Sequence, residues 1–111
     1  MAGFAVGQLP DDPLAASALF HADVLPHILA ALDAGDTVLT LLFTPAAHPH
    51  RDWRAAAVAT IARERAPARI NAVASDDQGA IAAALAYLDK ADGVTGQYLP
   101  LDSHGAGMVI D

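Results

Sequence analysis

The chain has 111 residues, enough for one domain with its own core, and no cysteine, which excludes disulfides, thiolate catalysis and thiolate metal sites. Thirteen acidic residues against six basic ones give a net charge of −7. That balance argues against nucleic acid or an anionic membrane as a partner, because phosphate binding draws on Lys and Arg. No continuous apolar run reaches the length of a bilayer span, and Met1 to Pro10 lacks the basic start and long apolar segment of a signal peptide. A single domain over residues 1–111, a cytoplasmic address and no membrane partner are therefore expected.

In chain order, Phe4 to Gln8 suits a short strand, ended by Pro10. Asp12 followed by Pro13 is a helix start, with a capping carboxylate before proline at the first helical position. Leu25, Ile28, Leu29 and Leu32 then follow the i, i+3, i+4, i+7 rule, which predicts one buried stripe on a helix over Pro13 to Ala34. Pro26 interrupts it, so a kink or two consecutive helices are expected, with Gly35 as the stop. Thr37 to Phe43 is a continuous apolar run bounded by turn residues, the pattern of a strand covered on both faces.

Thr44 to His50 holds two prolines and reads as a loop. Asp52 to Ala66 is helical and apolar nearly all round, with Trp53, Ala57 and Ile61 on one face and Ala55, Ala59 and Ala62 on another. Such a helix is normally buried on more than one side. Pro67 stops it, and Arg69 to Ala74 is the next strand. Ser75-Asp76-Asp77-Gln78 has the spacing of a capping box, starting a helix with Ile81, Leu85 and Leu88 on one face. Gly93 closes that helix, and Gln97 to Leu101 is a final strand. Strands alternating with helices imply parallel pairing, with helices on both faces of the sheet.

Three stretches carry a more specific pattern: Ile61-Ala62-Arg63-Glu64, Ile70-Asn71-Ala72-Val73-Ala74, and Thr95-Gly96-Gln97 with Leu101-Asp102. In order and spacing they resemble the second half of the short-chain dehydrogenase/reductase (SDR) family. The first is similar to the end of the helix bearing the family's catalytic Tyr and Lys, the others to its two closing strands. The resemblance implies an α/β fold: a truncated, Rossmann-like, three-layer α/β/α sandwich on a three- or four-stranded, mostly parallel sheet. It further implies an exposed sheet edge that must be capped or paired, a role expected of Phe4 to Gln8.

The departures bear on function. The family's Gly-rich turn, whose backbone amides cradle a pyrophosphate, has no counterpart before Phe4. The family's Tyr and Lys positions fall on Ala47 and Arg51 when aligned back from Ile61, or on Trp53 and Ala57 when aligned on the aromatic residue. Neither pair transfers a proton. The only tyrosines are Tyr87 and Tyr98, the only lysine is Lys90, and Asn71 is the only asparagine. Ser75-Asp76 stands where the family has Pro-Gly. The resemblance thus implies a chain with no catalytic residues, no cofactor and no metal.

In an open parallel sheet, ligands sit beyond the carboxyl ends of the strands. Thr44, His48, His50, Ser75, Asp76, Asp102, Ser103 and His104 would line that rim. His48 and His50 could chelate a metal with Asp102 or His104 as third ligand, although a solvated loop explains them more simply. Ser75 invites a hydrolase reading, but no Gly-x-Ser-x-Gly elbow accompanies it and helix capping accounts for it better. Abundant Ala and scarce charge suggest a helix face set against another subunit, although Ala is also simply a good helix former. Leu25, Leu29, Trp53, Ala57 and Ile61 are the candidate interface residues, Trp53 reading equally well as core filling or as an interface anchor. Two functions follow. The first is a non-catalytic accessory or regulatory subunit pairing through its two long helices, as a homodimer or with a full-length SDR. The alternative is a small-molecule sensor or binding protein using the rim.

Overall fold

The computed structural model describes residues 3–101. Four strands, β1 (Gly3–Ala5), β2 (Val38–Phe43), β3 (Arg69–Ala74) and β4 (Tyr98–Pro100), form one sheet in the order β1-β2-β3-β4, every pair parallel. The helices are α1 (Pro13–Leu19), α2 (Leu25–Asp33), α3 (Arg51–Glu64) and α4 (Gln78–Lys90). This is the expected Rossmann-like α/β architecture. Period-two alternation along β2 sends Leu39, Leu41 and Phe43 into a core shared with Phe20, Ile28, Val58 and Ile61. Leu42 and Val73 point the other way, toward Ala80, Ala84 and Leu88 of α4. Helices α1 to α3 therefore cover one face of the sheet and α4 the other.

β1 pairs with β2 and so caps its edge, as expected, but it starts at Gly3 and ends earlier than the sequence suggested. Val6 N–H still donates to the Leu42 carbonyl, and then Gly7 turns the chain with φ +87°. That left-handed conformation suits glycine and ends the strand.

Asp12 caps α1 by accepting from Ala15 N–H at 2.9 Å. The Pro26 interruption is resolved by a π turn at Phe20–Val24 between α1 and α2. In a straight α-helix Pro26 would lack its N–H and collide with the Ala22 carbonyl. Widening the turn, with Leu25 N–H donating to the Phe20 carbonyl, lets Pro26 fall in the first turn of α2, where a missing N–H costs little. The result is one helical stretch, Pro13–Asp33, long and apolar enough by length and composition to cross a bilayer. The sequence expectation concerned continuous apolar runs, and His21, Asp23 and His27 interrupt this stretch. Scattered His and Asp residues break its apolar runs without lowering its average much. One stripe of it, Ala16, Phe20 and Ile28, is buried in the core.

Within Thr44 to His50, read as a loop, His48–His50 forms a 3-10 turn leading into α3. The buried stripe of α3 is Arg54, Ala57, Val58, Ile61 and Ala62, which includes Ala57 and Ile61 of the first face read from the sequence, with Trp53 half-buried beside them, but only Ala62 of the second. Ala55 and Ala59 are only half-buried, and Ala56 and Thr60 are exposed. On α4 the buried residues are Ala80, Ala84 and Leu88, whereas Ile81 and Leu85 are half-exposed. The N-cap of α4 is Asp77, whose Oδ1 accepts from Gly79 and Ala80 N–H; it replaces the expected Ser75 capping box. Ser75 Oγ instead accepts from Asp77 N–H at 3.0 Å.

Candidate functional site

Two concavities lie on the α1–α3 side. The first is at the carboxyl ends of β2, β3 and β4. It has a volume of about 260 Å³ and is lined by Pro45, His48, Arg51, Ala74, Tyr98 and Leu101 among others. Loop 44–47 forms one wall, and its position is fixed from behind. Arg54 projects from α3 into the core, 2 % exposed, with its guanidinium 4.4 Å above the Phe43 ring. Its Nη1 donates to the Thr44 carbonyl at 2.8 Å and to the Tyr98 hydroxyl at 3.2 Å. The Nε of Arg54 is buried without a partner, and among the described residues no carboxylate pairs with Arg54.

Of the expected rim residues, only His48 lines this cavity. Thr44 and Asp76 are exposed beside it, Ser75 is buried and spent on the turn before α4, and Asp102, Ser103 and His104 lie outside the described residues. His50 is the clearest correction. It is 5 % exposed, its Nδ1 accepts from Trp53 Nε1–H at 3.1 Å and its Nε2 meets the Asp11 carbonyl at 2.8 Å. With the indole donating to Nδ1, Nε2 is the nitrogen that donates to the Asp11 carbonyl, and neither is left for a metal or ligand. It ties the segment before α1 to the start of α3. The chelating pair of His48 and His50 is thereby ruled out, and among the described residues no three His, Asp or Glu side chains gather as a metal-binding group.

The second concavity is a groove of about 270 Å³ between the α1–α2 stretch and α3. Ser17, His21 and Leu25 line one side, and Trp53, Ala56, Ala57, Thr60 and Ile61 the other. Four of the five expected interface residues thus meet here. Leu29, half-buried, is not among the lining residues. The Trp53 ring centroid lies 5.5 Å from that of Phe20 and 5.9 Å from that of Phe43, as core filling requires, and the residue also lines the groove. His21, whose Nδ1 meets the Ser17 carbonyl at 2.7 Å, is held against its own helix.

Sequence reasoning missed Arg54 and Tyr98. The signal for Arg54 was present: it opens the series 54, 57, 58, 61, 62, whose helical spacing marks the buried stripe. A charged residue in that series is easily discounted as solvated. Nothing along the chain pairs Tyr98 with it, because their contact spans 44 residues.

An all-parallel sheet sandwiched between helices, with a cavity at the strand ends, defines a Rossmann-like α/β protein. The chain matches the SDR-like family, described as short chain dehydrogenase-like protein, over residues 4–101, and it belongs to that family. No curated protein and no solved structure matches it.

Proposed function

We propose that this SDR-like chain is a non-catalytic accessory or regulatory subunit that assembles through the outer faces of α1–α2 and α3, with a second copy or with a full-length SDR. The observation that carries the reading is the groove between those helices. It is walled by an aromatic ring and aliphatic side chains, and it is floored by small residues, Ala56, Ala57 and Thr60, that permit close helix approach. Leu14 and Leu19 on the same helical stretch are exposed, Leu14 by 83 %. Exposed apolar side chains beside an apolar groove are characteristic of interaction surfaces.

The non-catalytic half of the reading is supported by where the proton-transfer side chains lie. Tyr87 and Lys90 are on α4, exposed and on the opposite sheet face from α3. Tyr98 is engaged by Arg54. The start of α3 carries His50 at its N-cap and Arg51 and Trp53 in its first turn, of which His50 and Trp53 are bonded to each other.

Ala56→Glu tests the assembly. Ala56 is exposed in the single chain, so a carboxylate there changes folding stability by no more than about 0.5 kcal/mol. In an apolar interface the same charge is buried without a partner. Light scattering on the eluting protein is expected to give an oligomer for the unaltered chain and a folded monomer for Ala56→Glu. Identical oligomers for both would exclude this face.

A further inference from the structure

We propose that the cavity at the ends of β2, β3 and β4 binds a small monocarboxylate with a short aliphatic body. The inference is independent of the assembly reading, since the cavity and the groove share no lining residue.

The reasoning starts from Arg54. A guanidinium 2 % exposed is costly to bury, and the usual compensation is a carboxylate within contact. Arg54 has none among the described residues. It has a carbonyl, a hydroxyl and an aromatic face, and its Nε has no partner. Both groups that receive its Nη1 belong to the cavity: Tyr98 lines it, and Thr44 is the residue before Pro45, which lines it too. The cation's field is therefore delivered through the cavity wall.

Tyr98 completes the picture. Its oxygen accepts from Arg54, which orients the hydroxyl and leaves its proton to donate. Among the described residues that proton has no acceptor, although the ring lines the cavity. A donor polarised by a buried cation, on a residue that lines a concavity, calls for an anionic acceptor, and hydrogen bonds to such acceptors are the strong class. His48 also lines the cavity, as does Arg51, which is already engaged by another contact. Among the described residues that line it there is no carboxylate, in a chain whose net charge is −7.

The rest of the lining determines the body of the ligand. Pro45, Ala74, Pro100 and Leu101 are apolar. At about 260 Å³ the space falls just below the range of ordinary small-molecule pockets. A phosphate or dicarboxylate would need more donors than Tyr98 and His48 supply beside an Arg51 that is already engaged, and would set its remaining charge against these apolar walls. A monocarboxylate with a few carbons would not.

The test is titration of the full chain with sodium isobutyrate and, separately, with isobutyramide, its neutral isostere, at constant ionic strength. Amide chemical shifts of residues 45–48 and 98–101 report the binding. Isobutyrate is expected to give saturable shifts there, with the amide binding about tenfold more weakly, the ratio expected for one charge-assisted hydrogen bond. Tyr98→Phe keeps the ring against Phe43 and removes only the hydroxyl, and it is expected to weaken isobutyrate by about tenfold. Three results would each overturn the proposal: no saturable shift, equal binding of acid and amide, or a folded Tyr98→Phe that binds isobutyrate as the unaltered chain does. The acid–amide comparison decides the matter even if the variant does not fold.

Discussion

On one face of the sheet Phe20, Phe43 and Trp53 meet with ring centroids 5.5 to 5.9 Å apart, and Arg54, His50 and Tyr98 are wired around them. On the other face a single helix lays Ala80, Ala84 and Leu88 over Val73 and Leu101. The polar work on that second face is done by the backbone's partners. Asn71 Oδ1 accepts from Gln97 N–H and its Nδ2 donates to the Val94 carbonyl, while Arg69 donates to the carbonyls of Leu88, Asp89 and Ala91 at the end of α4. One face holds its helices with large rings and the polar side chains wired around them, the other with aliphatic side chains, Asn71 and the Arg69 cap on α4. Both concavities lie beside the first.

That contrast can be broken most directly at Phe20. It is fully buried at the centre of the ring cluster, and Phe20→Ala should lose about 3–5 kcal/mol, read from urea denaturation. Loss below about 1 kcal/mol would mean that the cluster relaxes around the cavity and is not the organising core of that face. His50→Ala comes next, at about 1–3 kcal/mol, because it leaves the Trp53 indole N–H and the Asp11 carbonyl without their partner. His48→Ala, two residues away and exposed, should change stability by no more than about 0.5 kcal/mol. Equal effects for the two histidines would contradict their separation into a core and a surface role. On the opposite face, Arg69→Met should cost about 1–2 kcal/mol by stripping a charged donor from the carboxyl end of α4. Its effect should appear as faster amide exchange at the end of α4, with α1 to α3 unchanged.

The alternation of strands and helices, the parallel sheet and the order of its elements were legible along the chain because period changes and punctuation residues report local geometry. The Asp12-Pro13 start is one example, and the unbroken apolar run of β2 is another. The π turn before Pro26 was legible only as an interruption, since several backbone solutions relieve the same clash. His50 shows the deeper limit. In sequence it is one of a pair with His48, but a single 3-10 turn sends the two rings in opposite directions, and the groups that receive His50 are Trp53, three residues on, and Asp11, 39 residues back. The groove was anticipated through Leu25, Trp53, Ala57 and Ile61 because helical spacing brings such residues to one surface. The cavity was anticipated only in its place at the strand ends, since the contact between Arg54 and Tyr98 depends on tertiary packing.

Assembly is the claim on which the functional reading stands, and sedimentation equilibrium of the unaltered chain across a micromolar concentration range measures it directly. A self-associating subunit gives a mass that rises with concentration toward at least twice the chain mass of 11.4 kDa, and one that needs a full-length SDR does so only when that partner is added. A mass that stays at a single chain in both experiments would contradict the account.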